Sequence, residues 1–161
     1  MAKKEEKTNV MRVLEQKQIP YTAHTYPADG PTDGVSVANC LHQDVEQVFK
    51  TLVTKAASGI YYVFDIPVAE NLDLKKAAKA VGEKSIAMIP QKELLPLTGY
   101  VHGGCSPVGM KKQFHTVFHE TVILFDTICV SAGKIGAQVE VAPDALIALL
   151  GADTADVVVE A

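Results

Sequence analysis

Apolar positions recur along the chain with the period of an α-helix in some segments and of a β-strand in others. The first segment is helical, because Val10 and Leu14 lie one turn apart on the same predicted face. Thr8 or Asn9 has the chemistry of a capping residue, and Pro20 marks the end. The pattern therefore predicts an amphipathic N-terminal helix.

Other helices are predicted from capping signals. Asp44 and Gln47 have the spacing of a capping box, which predicts one or two helical turns around residues 45–48. Lys50 would then lie at a junction between a helix and a strand. The remaining predicted helices begin at residue 36 and cover residues 74–81, 91–97 and 143–150.

β-Prone runs fill most of the remaining chain. The clearest pair covers residues 51–56 and 60–66, and Ser58 and Gly59 between them predict a hairpin. Pro27 begins a stretch that reads as a loop. Further strands are predicted at residues 21–26 and 85–89, around residue 117, and at residues 122–125, 127–131, 137–141 and 157–159, the last as an edge strand.

This order mixes hairpins with single helices and shows neither strict βαβ alternation nor an internal repeat. It predicts an α+β fold with a mixed β-sheet, curled towards a barrel and surrounded by helices. A length of 161 residues is that of one domain, so residues 1–161 are expected to form a single unit.

Composition narrows the class of protein. Hydrophobic residues make up 48% and charged residues 21%, as in ordinary globular domains. The apolar runs are too short to cross a bilayer, and the charged N-terminus lacks the apolar stretch of a signal peptide. Three cysteines without a CxxC pair fit reduced thiols. We therefore expect a cytoplasmic protein with no membrane contact, and a monomer as the default.

The formal net charge of −4 does not favour general attraction to nucleic acid, so any RNA contact must be local. Lysine clusters are candidates for such contacts, although they are more often solvated faces. The clusters are Lys3, Lys4 and Lys7; Lys75, Lys76 and Lys79; and Lys111 and Lys112 with Lys134.

Lys50 has an unusual environment in the sequence, because Val48, Phe49, Leu52 and Val53 flank it. One interpretation is an ammonium group held where water is scarce, able to bind a carbonyl or phosphate oxygen. The other is a lysine whose stem is covered and whose charge reaches the surface. The residues alone leave both open.

Gly103 and Gly104 begin a loop that continues to Pro107, and glycines allow a backbone to approach a ligand closely. A tight turn needs the same glycines. Ser106 does not lie in a nucleophile elbow, since Val108 stands where that motif has glycine.

The cysteine and histidine residues do not have the spacing of a zinc site. Cys105 lies near His102, but His115 and His119 fall four residues apart on a predicted strand, roughly 13 Å from each other. The segment 131–136 resembles a phosphate loop, yet it lies between two strands and reads as a β-turn.

Several motifs in this order resemble the YbaK/EbsC family of Cys-tRNA(Pro) deacylases, which are related to the editing insertion domain of bacterial prolyl-tRNA synthetase. The likeness runs over residues 9–151. The motifs are Phe-Lys-Thr-Leu from residue 49, Asn-Leu-Asp-Leu-Lys-Lys from residue 71, Gly-Gly-Cys-Ser-Pro-Val-Gly-Met-Lys-Lys from residue 103, and Ser-Ala-Gly-Lys-Ile-Gly from residue 131.

The resemblance implies that Lys50 is the active-site residue and that no metal or organic cofactor is used. It places the 3′ end of an aminoacylated tRNA in the pocket, with prolyl-tRNA synthetase as a partner to be tested. The substrate-binding residues that it implies are Tyr26, Thr51, Gly103, Gly104, Ser106, Pro107, Ser131 and Gln138.

Two positions depart from the family pattern. Some members have aspartate where this chain has Gln138, and Ile135 replaces the arginine of a Lys-Arg-Gly turn. These departures bear on amino-acid selectivity and on one contact to the RNA backbone.

The mechanism implied by the resemblance is attack of the substrate cysteine's own thiol on its ester carbonyl, with Cys105 only a packing thiol. Two alternatives stay open. One is hydrolytic removal of another small amino acid such as alanine, and the other is a non-catalytic module that binds tRNA or a synthetase.

Overall fold

The computed structural model describes residues 7–160, and the N-terminal helix follows the predicted pattern. α1 covers Asn9–Gln16, and the Thr8 side chain caps it by accepting a hydrogen bond from the Met11 amide at 3.2 Å. Val10 and Leu14 are fully buried. The remaining helices are α2 (Gly34–Cys40), α3 (Leu74–Val81), α4 (Leu94–Thr98) and α5 (Pro143–Leu150).

Eight strands form two separate sheets within the described residues. The strands are β1 (Tyr21–Thr25), β2 (Phe49–Ala56), β3 (Tyr61–Pro67), β4 (Ile86–Met88), β5 (His115–His119), β6 (Ile128–Ser131), β7 (Ala137–Val141) and β8 (Asp153–Ala155). The smaller sheet has the order β1-β7-β6 and is antiparallel. The larger has the order β4-β2-β3-β5-β8, with antiparallel pairs on one side and parallel pairs on the other.

The α+β class and the mixed sheet are confirmed, while the described strands do not close into a barrel. A common core joins the two sheets, since Phe49 and Phe118 of the larger sheet pack in one cluster with Val130 and Val139 of the smaller. A second cluster packs α3 against the other face of the larger sheet. The strands of both sheets are therefore held in place from at least one face.

The hairpin and the helix predicted at residues 74–81 are confirmed. β2 and β3 pair with Lys55 opposite Tyr61, across the turn predicted from Ser58 and Gly59. Asp73 caps α3 by accepting hydrogen bonds from two backbone amides, and Gly82 ends it in the left-handed conformation that glycine adopts readily.

Three predicted elements were wrong. Residues 45–48 form a turn, because Asp44 accepts hydrogen bonds from the amides of Glu46 and Gln47 and Val48 pairs with Cys129. Residues 122–125 lie largely in a 3₁₀-helix, Glu120–Leu124, where only Val122 is buried and Leu124 is 74% exposed. Residues 157–159 are no strand, since the chain end bonds to the segment before α3 through single contacts such as Val159 to Asn71.

Candidate functional site

A cavity of about 360 Å³ opens where the start of β2 meets the smaller sheet and the segment leading into α2. Its volume is at the lower end of the range for small-molecule sites. Apolar side chains form much of the wall. The polar side chains that line it come from Tyr26, Thr32, Asp33, Lys50, Thr51, His102, Ser131 and Gln138.

Lys50 is the second residue of β2 and lines this cavity half-buried. The apolar residues Val48, Leu52 and Val68 line the same cavity. Burial lowers the pKa of the Lys50 ammonium, and the negative charge of Glu70 acts in the opposite direction. Of the two interpretations of the sequence, the structure favours an ammonium group in a poorly hydrated wall.

Thr51 connects the cavity to a buried carboxyl group. Its hydroxyl Oγ1 donates a hydrogen bond to Asp65 Oδ1 at 2.6 Å. Asp65 is fully buried, and its Oδ2 has no partner among the described residues. Burial raises the pKa of Asp65 to about 7, although the Thr51 hydrogen bond acts to lower it. A buried carboxyl group, that of Asp65, thus lies directly behind Thr51 in the cavity wall.

The loop that contains Gly103 and Gly104 meets the cavity at fewer points than the resemblance implies. Gly103 and Cys105 line it, whereas Gly104, Ser106 and Pro107 do not. The Gly104 amide donates to the carbonyl of Val101 at 3.0 Å, and is therefore engaged within the loop.

The buried part of this loop has structural roles. A Cβ atom at Gly104 would lie 3.0 Å from backbone atoms of Lys134 and Ile135, so the glycine is needed where two loops cross. Ser106 is fully buried and its hydroxyl accepts a hydrogen bond from the Val108 amide at 3.3 Å. These contacts explain why neither Gly104 nor Ser106 lines the cavity.

The opposite wall comes from the smaller sheet and brings Tyr26 together with Ser131 and Gln138, which lie more than 100 residues further along the chain. Tyr26 follows β1, and its amide donates to the carbonyl of Gly136 at 2.9 Å. Ser131 ends β6 and pairs with Gln138 of β7. The predicted turn between these strands is confirmed, because residues 132–136 join β6 to β7.

Gln138 is buried and its amide is held in place. Its Oε1 accepts a hydrogen bond from Gln43 Nε2 at 2.8 Å. This hydrogen bond fixes the position of the Gln138 side chain in the cavity wall. This wall is neutral where some relatives of the resembled family have an acidic residue.

The thiols near the cavity are poor nucleophiles. Burial raises the pKa of Cys105 to about 12, with the charge of Asp65 as a further cause, and burial likewise raises the pKa of Cys129 to about 12. The thiolate is the reactive form of cysteine, so neither residue is reactive near neutral pH.

The histidines weighed as zinc ligands have separate partners. His115 pairs with Asp153 at 2.6 Å, and His119 accepts a hydrogen bond from the Val157 amide at 3.3 Å. They do not form a common site in the described residues.

The lysine clusters are partly neutralised. Lys76 pairs with Asp156 at 3.0 Å, and Lys7 pairs with Glu15 at 2.6 Å. Lys3 and Lys4 lie outside the described residues.

Sequence reasoning missed Asp65, for which the available signal was a lone aspartate within the apolar run of β3.

Fold and cavity together define a domain with a cavity of small-molecule size beside a half-buried lysine. Residues 32–149 match the aminoacyl-tRNA editing domain family. The chain is 43% identical over 160 residues to an Enterococcus faecalis protein named "Putative Cys-tRNA(Pro)/Cys-tRNA(Cys) deacylase EbsC", with 98% of each chain covered. The chain belongs to the aminoacyl-tRNA editing domain family.

Solved structures share the fold. A protein described as a "putative trans-editing enzyme for prolyl tRNA synthetase" superposes with a TM-score of 0.81 at 27% identity, covering 94% of this chain and 95% of that one. A hypothetical protein of 21% identity has a TM-score of 0.85 and covers 93% of this chain and 99% of its own. The second likeness concerns the fold alone. Among residues 7–160, no helix is both long and apolar enough to cross a membrane.

Proposed function

We propose that this chain is a trans-editing deacylase that removes cysteine from mischarged tRNA(Pro). The observation that carries the proposal is the Lys50 ammonium group in the wall of a small cavity, in a member of the aminoacyl-tRNA editing domain family. The named relative, with 43% identity over nearly the whole chain, supports cysteine as the amino acid. Residues 1–161 act as one editing unit in this proposal.

The reaction needs no nucleophile from the protein. The sulfur of the substrate cysteine attacks its own ester carbonyl carbon, a C–S bond forms, and the C–O bond to the terminal ribose breaks. The thiol proton ends on the ribose oxygen, and the cysteine leaves as a cyclic thiolactone. The raised pKa values of Cys105 and Cys129 agree with this assignment, because neither thiol competes with the substrate sulfur.

The protein acts by positioning and by charge in this mechanism. The cavity folds the substrate side chain towards its carbonyl, which supplies proximity. The Lys50 ammonium stabilises the oxyanion that develops on the carbonyl oxygen. Tyr26, Ser131 and Gln138 form the facing wall and hold the aminoacyl group.

A substrate panel tests the proposal. Release of labelled amino acid is measured from Cys-tRNA(Pro), Ser-tRNA(Pro), Ala-tRNA(Pro) and Pro-tRNA(Pro). Release of cysteine alone supports the proposal, because serine differs only in having a hydroxyl group in place of the thiol. Release of alanine would assign a hydrolytic deacylase for small amino acids instead. Binding without release from any of the four would assign a non-catalytic module.

Prolyl-tRNA synthetase is the proposed protein partner, supported by the name of the solved trans-editing relative. Adding the synthetase to the cysteine-release assay should increase the rate at low tRNA concentration. An unchanged rate over a range of synthetase concentrations would remove the partner from the proposal while leaving the deacylase activity in place.

A further inference from the structure

A group of three potential metal ligands lies on the smaller sheet, outside the lining of the cavity that contains Lys50. His24 is on β1, Cys129 on β6 and Glu140 on β7. Cys129 and Glu140 are directly opposite in the pairing of β6 with β7. Glu140 also pairs with Thr22, so His24 lies one pleat further along the same face of the sheet.

The three side chains converge on a small volume. One potential ligand atom from each lies within 4.8 Å of the others. His24 Nε2 and Glu140 Oε1 are 2.7 Å apart and share a hydrogen bond, which a bound ion would replace. An imidazole nitrogen, a thiolate sulfur and a carboxylate oxygen are the donor types that Zn²⁺ takes in proteins. Because burial and the charge of Glu140 raise the pKa of Cys129 to about 12, zinc binding must displace the thiol proton.

Neighbouring groups hold two of the three side chains in place. The Thr127 hydroxyl donates a hydrogen bond to Glu140 Oε2. Gln43 Nε2 lies 3.6 Å from Cys129 Sγ. Outer partners of this kind orient the ligands of metal sites and keep the site assembled when it is empty.

One face of the smaller sheet is packed in the core, and two of the three side chains on its other face remain partly accessible to solvent. The opposite face of these strands is packed in the main core, where Val130 and Val139 are fully buried. Cys129 is buried, whereas the side chains of His24 and Glu140 are 30% and 29% exposed. A metal ion can therefore enter from solvent and keep a water molecule as a fourth ligand.

We propose that His24, Cys129 and Glu140 form a three-ligand site for Zn²⁺, with the fourth position open to solvent. The site departs from the absence of metal that the resemblance implied. None of its three ligands lines the cavity, so it does not depend on the proposed deacylase function, although Gln43 contacts both Cys129 and the cavity residue Gln138. Its ligands come from three strands and lie far apart in sequence, so no spacing motif marks it.

Cobalt titration tests the sulfur ligand. The full chain is stripped with a chelator and titrated with Co²⁺ while the absorption spectrum is recorded. We expect one equivalent to produce a near-ultraviolet sulfur-to-cobalt band together with visible bands of four-coordinate cobalt. Cys129→Ser should abolish the near-ultraviolet band, while Cys105→Ser, which alters a half-buried thiol in the cavity wall, should retain it. The absence of the band in the wild type, or its survival in Cys129→Ser, would overturn the site.

Zinc affinity tests the other two ligands. Competition with a chromophoric chelator should show at least a tenfold loss of affinity in His24→Gln and in Glu140→Gln, on the scale of ligand-shell mutations. His24 lies on an edge strand and is partly exposed, so its variant should fold, which circular dichroism checks. Unchanged zinc affinity in both variants would contradict the proposal even if the cobalt spectrum of the Cys129 variant could not be recorded.

Discussion

The strand that begins at Phe49 and the loop 103–107 have equally unusual sequences, yet they contribute to the cavity in different ways. Lys50 presents its side chain to the cavity from a strand paired on both sides. In the loop, Gly104 and Ser106 are used for backbone crossings and internal hydrogen bonds. An unusual composition marks a constrained position, and the constraint can come either from a ligand or from the protein's own backbone.

Replacing the cavity lysine gives the largest expected effect. Lys50→Ala removes the proposed oxyanion donor and should lower cysteine release by about a hundredfold to a thousandfold. The measurement is single-turnover release of labelled cysteine from Cys-tRNA(Pro). Lys55→Ala is the matched control, because Lys55 lies on the same strand but is exposed beside the Tyr61 ring at 5.3 Å. A wild-type rate of cysteine release in Lys50→Ala would show that Lys50 takes no part in the reaction.

Asp65 lies between the two regions, since it bonds to Thr51 and its charge acts on Cys105. Its pKa is raised from 3.8 to about 7, so the folded protein keeps a proton that the unfolded chain has lost. The contribution of Asp65 to stability therefore falls as pH rises from 3.8 to about 7, and is constant above that.

Asp65→Asn should remove this fall in stability. The gain in free energy of unfolding over the wild type is zero in acid and largest above the raised pKa. It is at most about 4 kcal/mol for a shift of about three pH units. Urea unfolding near pH 3.8 and above about pH 7 measures it. Asp29→Asn, at an exposed position, is the control. The same pH dependence in both variants would contradict a buried titrating carboxyl group.

Replacing Gly104, where two loops cross, gives the next largest expected change in stability. Gly104→Ala places a Cβ atom 3.0 Å from the backbone of Lys134 and Ile135, and should cost about 2 to 3 kcal/mol, as overpacked cores do. Gly59→Ala is the control, because φ is +91° there and no atom lies within 4 Å of the added Cβ. Its cost should be about 1 kcal/mol from backbone strain alone. Equal losses of unfolding free energy in Gly104→Ala and Gly59→Ala would show that the loop crossing is not the reason for glycine at position 104.

The smallest effect distinguishes a buried from an exposed hydroxyl group with the same local geometry. Ser106→Ala leaves the buried Val108 amide without its acceptor and should cost about 1 kcal/mol. Ser58 accepts the same kind of bond from the Ile60 amide but is exposed, so Ser58→Ala should change stability by less than about 0.5 kcal/mol. Thermal unfolding of both variants measures the difference, which would vanish if Ser106 were not buried.

Local patterns determined much of the fold in advance. The Thr8 cap, the turn at Ser58 and Gly59, and the helix α3 between Asp73 and Gly82 all follow from residues close together in sequence. These elements depend on short-range hydrogen bonds and on the conformational freedom of single glycines, which the sequence displays directly. The lysine flanked by apolar residues was likewise visible as a candidate before any tertiary contact was known.

Only the tertiary structure decided which residues face the cavity and which form the loop behind it. The turn at residues 45–48 replaced a predicted helix because pairing with Cys129 outweighed the local capping signal. Asp65 looked like one polar residue in a strand until burial beside Thr51 raised its pKa. His24, Cys129 and Glu140 meet only through the register of three strands. Long-range pairing and burial depend on the whole chain, and a local sequence pattern contains neither.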